Sequence, residues 1–292
     1  MKNQNKMERI VNVIALLVIL FSAICCVLPF LTHAELEEKT MLSAFGETVE
    51  LYGKGLYARN SISCAVQAVA QDLVTLVLVI PGMIFSLVMI QKKKVLGQYI
   101  LTGLFGYMLY TYMSYSFLMF YNDLFLLYVA NMILSFYGLV ISISILSKSP
   151  SVDAVKENLP TRGLRIFLIF SGIAIFLMWI GRIVPTLGKG IAPAGLDNCT
   201  TLVIQALDLG VIVPACFVIA YLLKIKHKLG YILGLVIVVK AVTLVTAVLA
   251  MAVYMKISGV EVENSMFIIF GIICALSFYY FVSIVRKMWR II

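Results

Sequence analysis

The stretches AQDLVTLVLVIPG (Ala70–Gly82) and ALDLGVIVPA (Ala206–Ala215) each place an aspartate at the head of a run apolar enough to lie in a membrane. A proline follows each acid, nine residues on at Pro81 and six on at Pro214. A carboxylate inside a bilayer costs about 2.5–3.5 kcal/mol on insertion scales, so it normally faces a protein interior, a partner or water. A pattern that costly, written twice, asks for an architecture that uses it.

Composition sets the class. Of 292 residues, 62% are hydrophobic and 13% charged, and the mean hydropathy is +1.05. Soluble domains average about 25% charged residues. A bilayer core about 30 Å thick takes about 20 helical residues to cross, and uncharged runs of that length recur along the chain. Strands of period two, as in an outer-membrane barrel, are not seen. The sequence therefore reads as an all-α, polytopic integral membrane helix bundle.

About eight transmembrane helices are expected, over roughly 9–31, 68–91, 95–120, 124–147, 164–187, 200–223, 229–255 and 265–286. With the N-terminus inside, 16 of the 23 basic residues fall in inner segments, among them Lys92, Lys93, Lys94, Lys224, Lys226 and Lys228. That is the bias that short cytoplasmic loops carry. Acids lean outward, for example Glu35, Glu37, Glu38, Asp123 and Asp197. The expected location is the plasma membrane, with both termini cytoplasmic. The net charge of +9 is an orientation signal and implies no nucleic-acid partner, which would need the charges on one folded surface. MKNQNKMERIVNVIALLVILF loosely resembles a secretory signal, but the apolar run Ile10–Leu31 exceeds a signal core of about 7–15 residues. It is expected to be a retained helix.

Spacing also argues for duplication. Sixteen residues separate Pro81 from Gly97, and sixteen separate Pro214 from Gly230. Between them lie the basic turns QKKKVLG and KIKHKLG, and further upstream ILFSAI (Ile19–Ile24) echoes LIFSGI (Leu168–Ile173). Two parallel four-helix repeats are expected, residues 1–147 and 148–292, related by an axis along the membrane normal. Chance likeness of two amphiphilic hairpins is the alternative. The halves differ in their first outer loop, long in the first (32–67) and short in the second (188–199). Glu35–Leu42 could form a surface helix on the bilayer, and the whole segment either caps the bundle or acts as a lid for a ligand. There is no other soluble stretch in which an appended catalytic or signalling module could lie.

Candidate site residues are the polar groups inside the spans. Asp72 sits a few residues into its span, near the outer interface, where a carboxylate in a first turn complements the helix dipole. Asp208 is deeper. Lys240 is the only deep basic residue, about 6 Å from it in height, a gap that a lysine stem covers. Such a pair either fixes helix packing or serves a proton or substrate path. In place of a lysine the first half has GYMLYTYMSYSFLMFYND, with Tyr107 and Tyr110, and Tyr112 and Tyr115, three apart and so on shared faces. Buried phenols seek acceptors, which Asp72 or Asn122 could supply. An interfacial aromatic belt is the alternative, fitting Tyr115 and Tyr121 best. Gln67, Gln205 and Asn131 are further groups of the kind that line a polar cavity. The two prolines would each free a carbonyl and kink their helices.

Cysteines and histidines add little. Cys64 and Cys199 precede the two aspartates by eight and nine residues on the outer side, where a disulfide would join the halves. His33 and His227 lie at opposite ends, no metal-ligand spacing occurs, and no hydrolase or phosphate-loop motif is present, so no cofactor or metal is expected.

The stretches GLYARNS…AQDLVTLVLVIP, YNDLFLLYVANMILSFYGLV and CTTLVIQALDLGVIVPA resemble a family of uncharacterised bacterial multi-span proteins. That resemblance implies an integral membrane protein and carries no functional residues across. The leading functional expectation is a small permease or channel-like transporter with its site between the halves. The alternatives are a membrane-embedded enzyme or lipid-binding protein, and an accessory subunit of a membrane complex. Membrane lipids are the expected partners, with a homo-oligomer or a partner membrane protein as further options.

Overall fold

The prolines that head this sequence shape the helices around them. In the computed structural model, which describes residues 2–289, both lie in long helices that pass through a π turn. Proline has no N–H and crowds the carbonyl four residues back. Here the residue before each proline bonds five residues back: Ile80 N–H to the Thr75 carbonyl, and Val213 N–H to the Asp208 carbonyl. The π turns cover Thr75–Val79 and Asp208–Ile212, and such single-turn bulges gather at functional sites.

Along the chain, α1 (Lys2–Leu31) leads to a small hairpin of β1 (Thr40–Leu42) and β2 (Thr48–Glu50). Then follow α2 (Ile62–Gln91), α3 (Leu96–Leu118) and α4 (Phe125–Lys148). A short α5 (Ser151–Asn158) precedes α6 (Thr161–Ile183), α7 (Val203–Lys224), α8 (Lys228–Ile257) and α9 (Asn264–Met288). Seven of these helices are long and apolar enough to cross a membrane, as in a multi-pass membrane protein. They also present large apolar side chains outward, among them Leu16, Val77, Leu126 and Ile268. Water would penalise such faces, whereas lipid tails accept them.

The exception among the long helices is α3. Its 23 residues reach about 34 Å, but its glycines, threonines and tyrosines keep it below the apolarity of the others. Packing compensates, since 16 of the 23 are buried. α3 lies against α2, α4 and α8, while α8 lies against α2, α3, α7 and α9. α3 and α8 thus form the centre of the bundle. Their close approach uses Gly103: a Cβ there would stand 2.5 Å from Val239 Cβ and 2.8 Å from the Val236 carbonyl.

The turns α2–α3 and α7–α8 share one geometry at the lysine-rich end. Lys94 N–H bonds the Met89 carbonyl and Lys93 N–H that of Ile90; His227 bonds Leu222 and Lys226 bonds Leu223 in the same way. This is the Schellman pattern, with Lys93 (φ 59°) and Lys226 (φ 56°) in the left-handed position. Just beyond, Gly97 and Gly230 let the helix pairs close, since a Cβ at either would lie 2.7 Å from the preceding helix.

At the opposite end the structure corrects one expectation. Glu35–Leu42 is not a surface helix: Thr40–Leu42 pairs antiparallel with Thr48–Glu50, and Glu35 bridges to Lys54. The acids Glu35, Glu37 and Glu38 are too few in a stretch lacking helical apolar spacing, whereas Gly46, at φ +79°, turns the chain for a hairpin. Gly55 (φ +62°) fits under the end of α1, where a Cβ would meet the Thr32 carbonyl at 2.8 Å.

Candidate functional site: two buried carboxylates

Asp72 does not occupy a first helical turn. α2 starts at Ile62, capped by the Ser61 side chain, which accepts from Cys64 N–H. Asp72 follows ten residues later, about 15 Å along the helix, and is 1% exposed. Dipole complementation therefore does not account for it. Two phenols do: Tyr57 donates to Oδ2 at 2.7 Å and Tyr115 to Oδ1 at 2.9 Å. Tyr115 is no belt residue; it is buried, and its ring meets those of Tyr57, Tyr112 and Tyr128. Tyr121, at 76% exposure, keeps the outward position that a belt requires.

The other tyrosines of α3 disperse. Tyr107 bonds Thr75 at 3.0 Å rather than Asp72, and Gln71 bonds Thr111 at 2.6 Å alongside. Tyr112 is fully buried and its hydroxyl has no partner among the described residues, as is true of the Tyr128 hydroxyl and Asn131 Oδ1. Asn131 donates instead to the Leu127 carbonyl. Gln67 turns back on Ser63 and stays away from the acid.

Tyr110 reaches the second carboxylate. Its hydroxyl donates to Asp208 Oδ1 at 2.8 Å, and Trp179 Nε1 donates to Oδ2 at 2.8 Å. Lys240 does not pair directly with Asp208. Its ammonium lies 4.7 Å from the centre of the Tyr110 ring, with its stem along Gly106. The only ion pair among the described residues is Arg182–Glu263 at 3.9 Å, and the Arg182 guanidinium also covers the Trp179 ring at 5.5 Å. A single file of groups thus runs Glu263, Arg182, Trp179, Asp208, Tyr110, Lys240. Gln205 is buried one turn before Asp208 and does not bond it.

Hydrogen bonds between helices in a membrane reach about 1.7 kcal/mol each, so two at that upper end roughly offset the insertion cost of one carboxylate. Each acid has just enough partners to be held. The groups contributed by α3, α6 and α8 around Asp208 come from both halves of the chain, while the Asp72 cluster draws on α2, α3, α4 and the Gly55–Tyr57 segment, all within the first. Trp179 and Tyr57 had no sequence signal: each is one aromatic among many, and neither stands at a telling spacing from its aspartate.

Beside Tyr57, under the hairpin segment, lies a cavity of about 200 Å³ bordered by Phe30, Thr32, His33, Lys54 and Tyr254. Burial pushes the Tyr57 hydroxyl well above the ordinary phenol range, and the Asp72 carboxylate adds to the shift. Tyr57 therefore remains a donor. Comparison with protein-family models, with curated proteins and with solved structures finds no match to this chain.

Proposed function

We propose that the protein is a small permease of the plasma membrane, built from two parallel four-helix repeats with its solute site at Asp208. Eight spans, counting α3, then place the lysine-rich turns and both termini in the cytoplasm, as the basic-residue bias favours. Support for the duplication comes from geometry that recurs at one offset of 133 residues: Thr75 and Asp208 open π turns, Pro81 and Pro214 close them, Lys93 and Lys226 turn left-handed. Residues 1–147 and 148–292 are the two units in this reading. α2 of the first packs on α8 of the second, and α7 of the second packs on α3 of the first, the exchange that a two-fold axis between α3 and α8 would generate.

The observation that carries the functional reading is Asp208 itself. It is a buried carboxylate on a π turn, held by Tyr110 from one half and Trp179 from the other, with a lysine beyond the phenol. Rocking of the halves about α3 and α8 would strain the Tyr110–Asp208 bond, which crosses between them, while Trp179 and Asp208 would move together within the second half. The test is flux in proteoliposomes, measured with a panel of small ions and zwitterions for the wild type, Asp208→Asn and Lys240→Met. Loss of one flux in folded variants supports the site; unchanged flux for every solute in both variants sinks it.

A second reading, binding of a lipid headgroup beneath the hairpin segment, is favoured by the cavity, where His33 and Lys54 stand beside Phe30 and Tyr254. Native mass spectrometry with anionic and zwitterionic lipids, comparing wild type with Lys54→Ala, separates it from the first.

A further inference from the structure

At the hairpin end, the loop before α7 is fastened to the start of α2. Ser61 Oγ donates to Asp197 Oδ2 at 2.6 Å, and Ser61 N–H to Asn198 Oδ1 at 3.3 Å. Asn198 in turn donates to the Arg59 carbonyl at 2.9 Å. The residue after this clamp is Cys199, and three residues after Ser61 comes Cys64. Asp197 takes a left-handed φ of 50°, and the clamp sets Cys199, next to Asn198, at the same first turn of α2 that carries Cys64. Neither is sealed in the core, since both are half-buried. The remaining cysteines lie elsewhere, Cys25 and Cys26 in α1, Cys216 in α7 and Cys274 in α9.

We propose that Cys64 and Cys199 are a disulfide site that locks the loop before α7 to the first turn of α2, and so joins the two halves outside the bundle. The step is thiol–disulfide exchange with a protein or low-molecular-weight disulfide as oxidant. The Cys199 thiolate attacks one sulfur of the oxidant, and the first oxidant thiolate leaves. Cys64 then loses its proton and attacks the Cys199 sulfur, expelling the second. Two protein thiols lose two electrons and two protons, and one oxidant disulfide becomes two thiols. The neighbouring Cys64 side chain holds the Cys199 thiol below its ordinary range, which suits Cys199 to the opening attack. Pairing rests on the clamp that holds the two segments together; oxidation in a cell also rests on the proposed outward orientation of this end, because disulfides persist in oxidising compartments.

The experiment has two arms. Purified full-length protein is incubated with oxidised glutathione, alkylated, digested without reduction and mapped by mass spectrometry. A cross-linked peptide joining Cys64 to Cys199, lighter by two hydrogens and absent in Cys64→Ser and Cys199→Ser, is expected. The linked form should also melt at a higher temperature than its reduced form. Alkylation of both thiols after oxidant treatment overturns the proposal. In the second arm, acid-quenched cells are mapped in the same way, while a Lys189→Cys variant probed with a membrane-impermeant maleimide reads orientation. Free Cys64 and Cys199 with an accessible position 189 overturn the site as one filled in cells. An inaccessible position 189 refutes the orientation instead, and the purified protein then decides the pairing alone.

Discussion

The Tyr110 ring between Lys240 and Asp208 can be tested as the sole link between them by removing it in two ways. Tyr110→Phe keeps the ring under the ammonium and deletes only the hydroxyl that donates to Asp208. Tyr110→Leu deletes both. A hydrogen bond to a charged group is worth about 1.5–3 kcal/mol in water-soluble proteins, but interhelical bonds in membranes average about 0.6 and reach about 1.7 kcal/mol. Tyr110→Phe should therefore cost about 1–2 kcal/mol. A cation over a ring adds about 0.5–1 kcal/mol when exposed and about 2 when desolvated; for half-buried Lys240, about 1 is expected. Tyr110→Leu should then cost about 2–3 kcal/mol, before any cavity contribution. The decisive quantity is a coupling. Lys240→Met should cost about 1 kcal/mol less in the Tyr110→Leu background than in wild type, and the same in Tyr110→Phe within the usual 0.3–0.5 kcal/mol of additivity. Unfolding by SDS titration in mixed micelles supplies the free energies. A cycle in which Lys240→Met couples strongly to Asp208→Asn, and not at all to Tyr110→Leu, would mean a direct ion pair and refute the reasoning.

Three other outcomes are expected. Asp72→Asn should be milder than Asp72→Leu by about 1–3 kcal/mol, because the amide oxygen still accepts from one of the two phenols, which meet different oxygens of the aspartate, whereas leucine strands both; equal losses in SDS titration would count against the two-phenol cradle. Gly103→Ala should destabilise by at least the 1–3 kcal/mol typical of overpacking, since backbone and side chain of α8 both stand in the way, whereas Gly271→Ala, with nothing within 4 Å, should be neutral or better. The raised Tyr57 hydroxyl stays neutral in the fold while an unfolded phenol ionises near pH 10, so its contribution is complete below about pH 10 and is lost as pH rises from there toward the folded value. Ultraviolet titration at moderately alkaline pH should count fewer tyrosinates in the folded than in the unfolded chain, since Tyr107, Tyr112 and Tyr128 are buried as well, and Tyr57→Phe should narrow that deficit by one.

What the sequence could and could not reveal follows from how each signal is encoded. Length and apolarity mark spans locally, and the apolar helices of the structure fall close to the expected runs. The sequence puts the start of α2 six residues late because Ile62–Gln67 carries polar side chains that local contacts, not lipid, accommodate: Gln67 bonds back to Ser63 and Cys64 to Asn60. α3 is the converse case, a helix whose burial among helices relaxes the demand for apolar residues, so its tyrosines and glycines are packing groups and donors.

Partner choice inside the bundle is a different kind of information. The i, i+3 rule places Tyr107 and Tyr110 on one face, yet a central helix has neighbours on every side. A shift of about 60° around the axis carries Tyr107 to Thr75 on α2 and Tyr110 to Asp208 on α7. The same limit hid Trp179, whose bond to Asp208 depends on how α6 lies against α7. The two aspartates illustrate the resulting divergence. Measured from its proline, Asp208 opens the π turn, whereas Asp72 sits three residues before one; at the offset of 133 its counterpart is Gln205, and Thr75 is that of Asp208. Under the proposed duplication, each half would carry an acid on one of two positions a turn apart and a neutral polar residue on the other. A conformational change that straightened both π turns would move Asp208 with its own turn and leave Asp72 on the ordinary helix before Thr75, so Asp208, of the two, is the acid that such a motion would couple to.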